Sequence, residues 1–172
     1  MPQVLNMNAG KGNLHLQFRY DIKKHLAQEH SELLRSLKSL STIDGSMGES
    51  AGNLLKSLVP HVMEEEKTVV PLLSSIEGLV EGNADMNELS RLSLLGSSLT
   101  ETYADFLREH SDIEGKAENL LEIAKNTGNT EAVSTIEGLQ HHIFIEELFL
   151  YPFSILAGKY AALRMSENRR SH

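Results

Sequence analysis

Apolar residues recur at spacings of three and four along four stretches of the chain, the period of a helix with one buried face. The first stretch runs roughly from Asp21 to Leu40 and carries Leu26, His30, Leu33, Leu37 and Leu40 on one stripe. Glycines and serines from Ser41 to Asn53 predict a break. The second stripe is Leu54, Leu58, His61, Glu65, Val69 and Leu72. After the turn residues Glu81, Gly82 and Asn83, Asp85 with Glu88 three positions later reads as a capping pair opening a third helix. That helix keeps Leu89, Leu92, Leu99, Tyr103, Phe106, His110, Ile113, Ala117, Leu120 and Ala124 in register. Lys125 to Thr130 breaks it, and the fourth stripe is Ile136, Leu139, His142, Glu146, Phe149 and Phe153. No useful strand-like alternation occurs. The expectation is an all-α fold, an antiparallel up-down-up-down four-helix bundle with short connections. Residues 21–157 would form the bundle, between an N-terminal segment 1–20 and a C-terminal tail 158–172.

Every stripe passes through a histidine, and two also pass through a glutamate. Burying such groups unpaired is costly, so something must pair with them. The halves also repeat. His30 recurs as His110 at an offset of 80; His61, Glu65 and Pro71 recur as His142, Glu146 and Pro152 at an offset of 81. Glu29-His30-Ser31 matches Glu109-His110-Ser111. Duplication of a helical hairpin explains this economically, and the repeated unit is the set of polar residues on the stripes.

Those residue types suit a metal pair. Residues four apart share a helix face, so His61 with Glu65, and His142 with Glu146, can reach one point in the core. His30 and His110 would reach it from the other two helices. The adjacent Glu64, Glu66 and Glu147 lack this alignment and read as solvated. Imidazole suits iron, zinc, copper and nickel, and a carboxylate can bridge two ions. Two six-coordinate ions offer about twelve positions. Four histidines, two bridging carboxylates and a bridging oxide or hydroxide leave about two open for a small ligand. Tyr103 lies two turns before His110, either as core packing or as a hydrogen-bond donor to such a ligand. Glu114, one turn after His110, is either a further ligand or a surface charge. His15, His25, His141 and His172 read as surface residues. Pro60 means that the second helix either bends there or becomes regular only later.

Composition removes several alternatives. With no cysteine there are no disulfides, thiolate-bound clusters or cysteine nucleophiles. A net charge of −8 argues against nucleic acid as a partner. Arg164, Arg169 and Arg170 sit in what reads as a polar tail. No run approaches about 18 apolar residues, and Met1 to Lys11 shows no secretory signal, so the expected location is cytoplasmic, away from membranes. No histidine has a glutamate three residues before it, as the ferritin-type di-iron pattern requires.

The words Glu29-His30, His61-Val62-Met63-Glu64-Glu65 with Pro71, Glu109-His110, and His142-Ile143-Phe144-Ile145-Glu146 with Pro152 resemble the hemerythrin-like, or HHE cation-binding, domain family from roughly Asp21 to Leu156. The ligand set is most similar to the branch that includes iron–sulfur-cluster repair di-iron proteins. The resemblance implies two iron ions, oxo- or hydroxo-bridged in the family's manner, held by His30, His61, Glu65, His110, His142 and Glu146. It implies binding of, or reaction with, dioxygen, nitric oxide or peroxide. The chain departs from the oxygen carriers at Glu114, where they have a second histidine, and in the four-residue step to Glu146. Both differences tell against reversible oxygen carriage. An oxygen or redox sensor and an iron-handling or storage module are the alternatives.

Overall fold

The computed structural model describes residues 22–170, with side chains to residue 168. The N-terminal segment 1–20, Asp21, His15, His172 and the side chains of Arg169 and Arg170 lie outside the described residues. The structure is helical throughout, with no strand among the described residues. Helix α1 spans Ile22–Leu40, α2 Ser46–Ser74, the one-turn α3 Ile76–Glu81, α4 Met86–Thr127, α5 Thr130–Ile145 and α6 Tyr151–Arg170. Between α5 and α6, Glu146–Leu150 forms a π-helical turn, so the last three segments run on as one long helix. Four long helices therefore pack as a bundle. No helix among the described residues is long and apolar enough to cross a membrane.

Local chemistry sets both ends of α4 and the start of α5. The Asp85 carboxylate caps α4 by accepting from the Glu88 backbone N–H at 2.8 Å. At the other end Gly128 adopts φ 68°, which lets the Asn129 N–H reach back to the Ala124 carbonyl at 2.9 Å. Asn129 then caps α5 through the Ala132 N–H at 3.0 Å.

Two expectations are corrected. The break expected from Ser41 to Asn53 is only five residues long, because α2 begins at Ser46 and buries Met47 and Ala51 on the stripe that continues to Leu54 and Leu58. Gly48 belongs inside the helix: a Cβ there would collide with the Ile43 carbonyl, so glycine lets the α1–α2 connection lie against α2. Helical structure is thus established before Pro60, which sits exposed within α2. The second correction concerns residues 158–172. The chain from 158 to 170 is helix rather than tail, with Ala161 buried and Gly158 lying directly against Gly96 of α4.

The core forms two clusters. One gathers Leu37, Leu54, Leu58, Ile113, Leu120, Ile136 and Leu139. The other gathers Leu26, Val69, Leu72, Leu92, Leu99, Phe106 and Tyr151. Each long helix passes from one cluster to the other through a histidine of its stripe.

Candidate metal centre

The structure brings all six stripe residues together between the two apolar clusters. His30, His61, Glu65, His110 and Glu146 are buried, and His142 is nearly so. Their nitrogen and oxygen atoms form two groups that could each hold a metal ion: His30 and His142 with Glu65 and Glu146, and His61 and His110 with the same two glutamates. Within each group the ligand-type atoms lie within 4.8 Å of one another.

The carboxylates face both groups. Glu146 presents Oε1 to His142 Nε2 at 2.9 Å and to His30 Nε2 at 3.7 Å, and Oε2 to His110 Nε2 at 3.5 Å. Glu65 presents Oε1 to His61 Nε2 at 3.5 Å and Oε2 to His30 Nε2 at 3.6 Å. The imidazoles pair Nε2 to Nε2, His30 with His142 at 3.1 Å and His61 with His110 at 2.9 Å.

A second ring of carboxylates holds the outer nitrogens. His61 Nδ1–H donates to Glu109 and His110 Nδ1–H donates to Glu147, both at 2.9 Å. A carboxylate only accepts, so these bonds hold a proton on Nδ1 and turn Nε2 inward as the nitrogen that takes up a second proton or a metal ion. On the other histidine pair the partners are Glu29, 3.5 Å from His142 Nδ1, and Glu66, 3.6 Å from His30 Nδ1. The four pairs follow the sequence repeat: His30–Glu66 corresponds to His110–Glu147, and His61–Glu109 to His142–Glu29. Sequence reasoning missed this ring because Glu66 and Glu147 are off the inward stripe. The signal was present in the Glu-His and Glu-Glu doublets, each repeated once.

Charge is heavily coupled here. Burial alone would lower the pKa of His61, but Glu65, Glu109 and Glu146 outweigh it and raise it to about 9. His142 is raised in the same way, chiefly by Glu146 against burial. Burial would raise Glu146, yet His110, His142 and His30 hold it well below the usual carboxylate value.

The tyrosine at the centre is Tyr151, not Tyr103. Its hydroxyl donates to Glu65 Oε1 at 2.5 Å and lies 3.0 Å from His110 Nε2. Burial, then the nearby carboxylates, push its pKa far up. Tyr103 only packs edge-on against the Tyr151 ring at 6.1 Å. The π turn explains the exchange. One extra residue in the turn after Glu146 rotates the rest of the helix, so Tyr151 and Ser154 face inward while Phe149 and Phe153, expected on the inner stripe, are 44% and 50% exposed. Glu114 is exposed on α4 and stands outside both groups. His25 and His141 are at the surface, His25 paired with Glu29.

No family model, curated protein or solved structure matches this chain. The case for a metal therefore rests on the donor set. Two nitrogen ligands at right angles on one ion, each about 2.1 Å away, stand about 3.0 Å apart, the spacing of both Nε2 pairs. Glu65 Oε2 is buried with no hydrogen-bond partner, a penalty that an ion beside it would relieve. Two imidazole lone pairs facing each other also need a proton or a cation between them. The residues fit a metal.

Proposed function

We propose that this chain is a hemerythrin-like protein whose bundle holds two iron ions and binds or reacts with a small uncharged ligand such as dioxygen, nitric oxide or peroxide. The observation that carries the reading is the splitting of each carboxylate: Glu65 and Glu146 both turn one oxygen to each histidine pair. That is the arrangement a bridged pair of ions requires, and a single ion would need only one such group. His30 and His142 would hold one ion, His61 and His110 the other.

The antiparallel, duplicated bundle belongs to the same proposal. It is supported by the order in which the helices meet the two apolar clusters. Leu26 precedes His30 and Leu99 precedes His110, whereas Leu58 precedes His61 and Leu139 precedes His142 from the opposite cluster. Reciprocal outer carboxylates, matched at offsets of 80 and 81, support the hairpin repeat.

When bound, a pair of irons supplies redox change and coordination positions beyond those the protein fills. The protein's own part is to orient and exclude. Glu109 and Glu147 fix the tautomers of His61 and His110, and the two apolar clusters keep bulk water off the buried carboxylates.

Anaerobic reconstitution with ferrous iron followed by metal analysis tests the reading. The expected content is about two irons per chain, falling below one in Glu65→Ala and in Glu146→Ala and unchanged in Glu114→Ala. A content of one that excess iron does not raise would sink the bridged pair.

A further inference from the structure

The two halves repeat, yet they are not equal around the centre. Tyr151 is the clearest difference, because its counterpart at an offset of 81 is Val70, which has no side-chain polar atom. The Tyr151 hydroxyl lies beside the His61–His110 pair and occupies Glu65 Oε1. The other oxygen of the same carboxylate, Oε2, is buried 3.6 Å from His30 Nε2 and makes no hydrogen bond. The outer carboxylates differ likewise: hydrogen bonds of 2.9 Å on His61 and His110, contacts of 3.5 and 3.6 Å on His142 and His30. The outer carboxylates and Tyr151 thus hold the His61–His110 side more closely than the His30–His142 side.

The approaches differ in the same sense. Between α1 and α5 a mostly apolar cleft of about 460 Å³ reaches His142; Leu26, Leu33, Gly138, Ile145 and Leu150 line it, with the ionisable His25, Glu29, Glu32 and His141 among them. Its counterpart between α2 and α4, about 700 Å³, ends on His61 and is walled by Lys56, Glu64, Asp105, Arg108 and Asp112. Ile145 in the first stands where Glu64 stands in the second, and Gly138 where Ser57 does. Small uncharged molecules gain from an apolar cleft, whereas water holds the charged one through its ionised walls.

Building on the metal-pair reading, we propose that small uncharged ligands reach only the ion held by His30 and His142, through the apolar α1–α5 cleft, while Tyr151 closes the ion held by His61 and His110. Tyr151 is thus a selectivity device: it makes two positions with matching protein ligands unequal. The π turn is what delivers it, since it puts residue 151 rather than 150 on the inner face.

The experiment titrates nitric oxide into the anaerobic protein loaded with two ferrous ions, with metal content measured on every sample. Wild type should take up one nitric oxide per chain and Tyr151→Val two. Gly138→Leu grows into the cleft from a position where an added Cβ meets nothing within 4 Å, and should slow uptake at least tenfold. Ser57→Leu, in the charged cleft, should leave the rate unchanged. Mössbauer spectra of the ferrous wild type should show two doublets of equal area, converging in Tyr151→Phe. Failure to hold two ions would count against the metal pair itself. Two ions with two nitric oxides in the wild type, a single doublet, or slowing by Ser57→Leu equal to that by Gly138→Leu would overturn the inequality alone. Should Tyr151→Val not fold, the wild-type stoichiometry, the spectra and Gly138→Leu still decide.

Discussion

Each histidine of the centre faces two ways, towards a half-exposed glutamate through Nδ1 and towards the buried carboxylates through Nε2. Without metal, protons on His61 and His142 supply positive charge facing the buried carboxylates. The consequence for stability has a definite sign. His61 has its pKa raised from 6.5 to about 9 in the folded chain, so it binds its proton more tightly folded than unfolded. The stability it contributes is fully present below pH 6.5 and is lost as pH rises through about 9. Glu146 works the other way: held below 4.5, it contributes above that pH and loses its contribution as pH falls. The metal-free protein should therefore be most stable between these limits, at about pH 4.5 to 6.5. Thermal melts of chelated protein should show Tm dropping between about pH 6.5 and 9. A Tm that climbs over that interval would mean that His61 is not the proton acceptor described.

Between elements, α4 approaches α6 closely. A Cβ on Gly96 would stand 2.5 Å from the Gly158 Cα, so these helices touch backbone to backbone. Neither glycine is needed for a positive φ; both are needed for distance. Gly158→Leu should force the helices apart and cost about 1–3 kcal/mol or more, as overpacking does. Gly138→Ala, with open space at its Cβ, should instead gain up to about 1 kcal/mol of helix propensity. Urea unfolding of the two variants gives the comparison, and equal midpoints would show that the Gly96–Gly158 contact does not set the spacing. This contact lies in the same continuous helix as the π turn, so the depth of Tyr151 and the seating of α6 are coupled through one backbone.

Across the whole molecule, the polar centre separates two apolar clusters that would otherwise merge. Four helices each contribute one histidine to it, so any ion bound there ties the entire bundle together. Chelation should then lower the stability of the fold as a whole. Metal at a thousandfold excess over its dissociation constant stabilises a fold by about 4 kcal/mol when the unfolded chain does not bind it. Calorimetry with and without chelator should show a Tm shift of several degrees, reversed by adding metal back. Identical melts would mean that the buried histidines and glutamates satisfy one another unaided.

Much of this centre was legible along the chain because burial of a helix face is a local, periodic property. His30, His61, Glu65, His110, His142 and Glu146 announce themselves as polar residues on apolar stripes, and their recurrence at offsets of 80 and 81 sets them apart from isolated polar residues. The same local logic found the Asp85 cap and the break at Gly128. It failed where the deciding contact lies outside the helix that carries the residue. Glu109 is an ordinary surface glutamate until α2 brings His61 to it, and Gly48 reads as a loop residue until the Ile43 carbonyl lies against it. The stripe itself misled after Glu146, since a period of 3.6 residues assumes an unbroken α-helix. The π turn adds a residue, turns Phe149 and Phe153 outward and carries Tyr151 in. Sequence by itself determined which residues are buried in common as far as Glu146; the π turn decided the rest, and the relative rotation of packed helices, which no local spacing encodes, decided which of them touch.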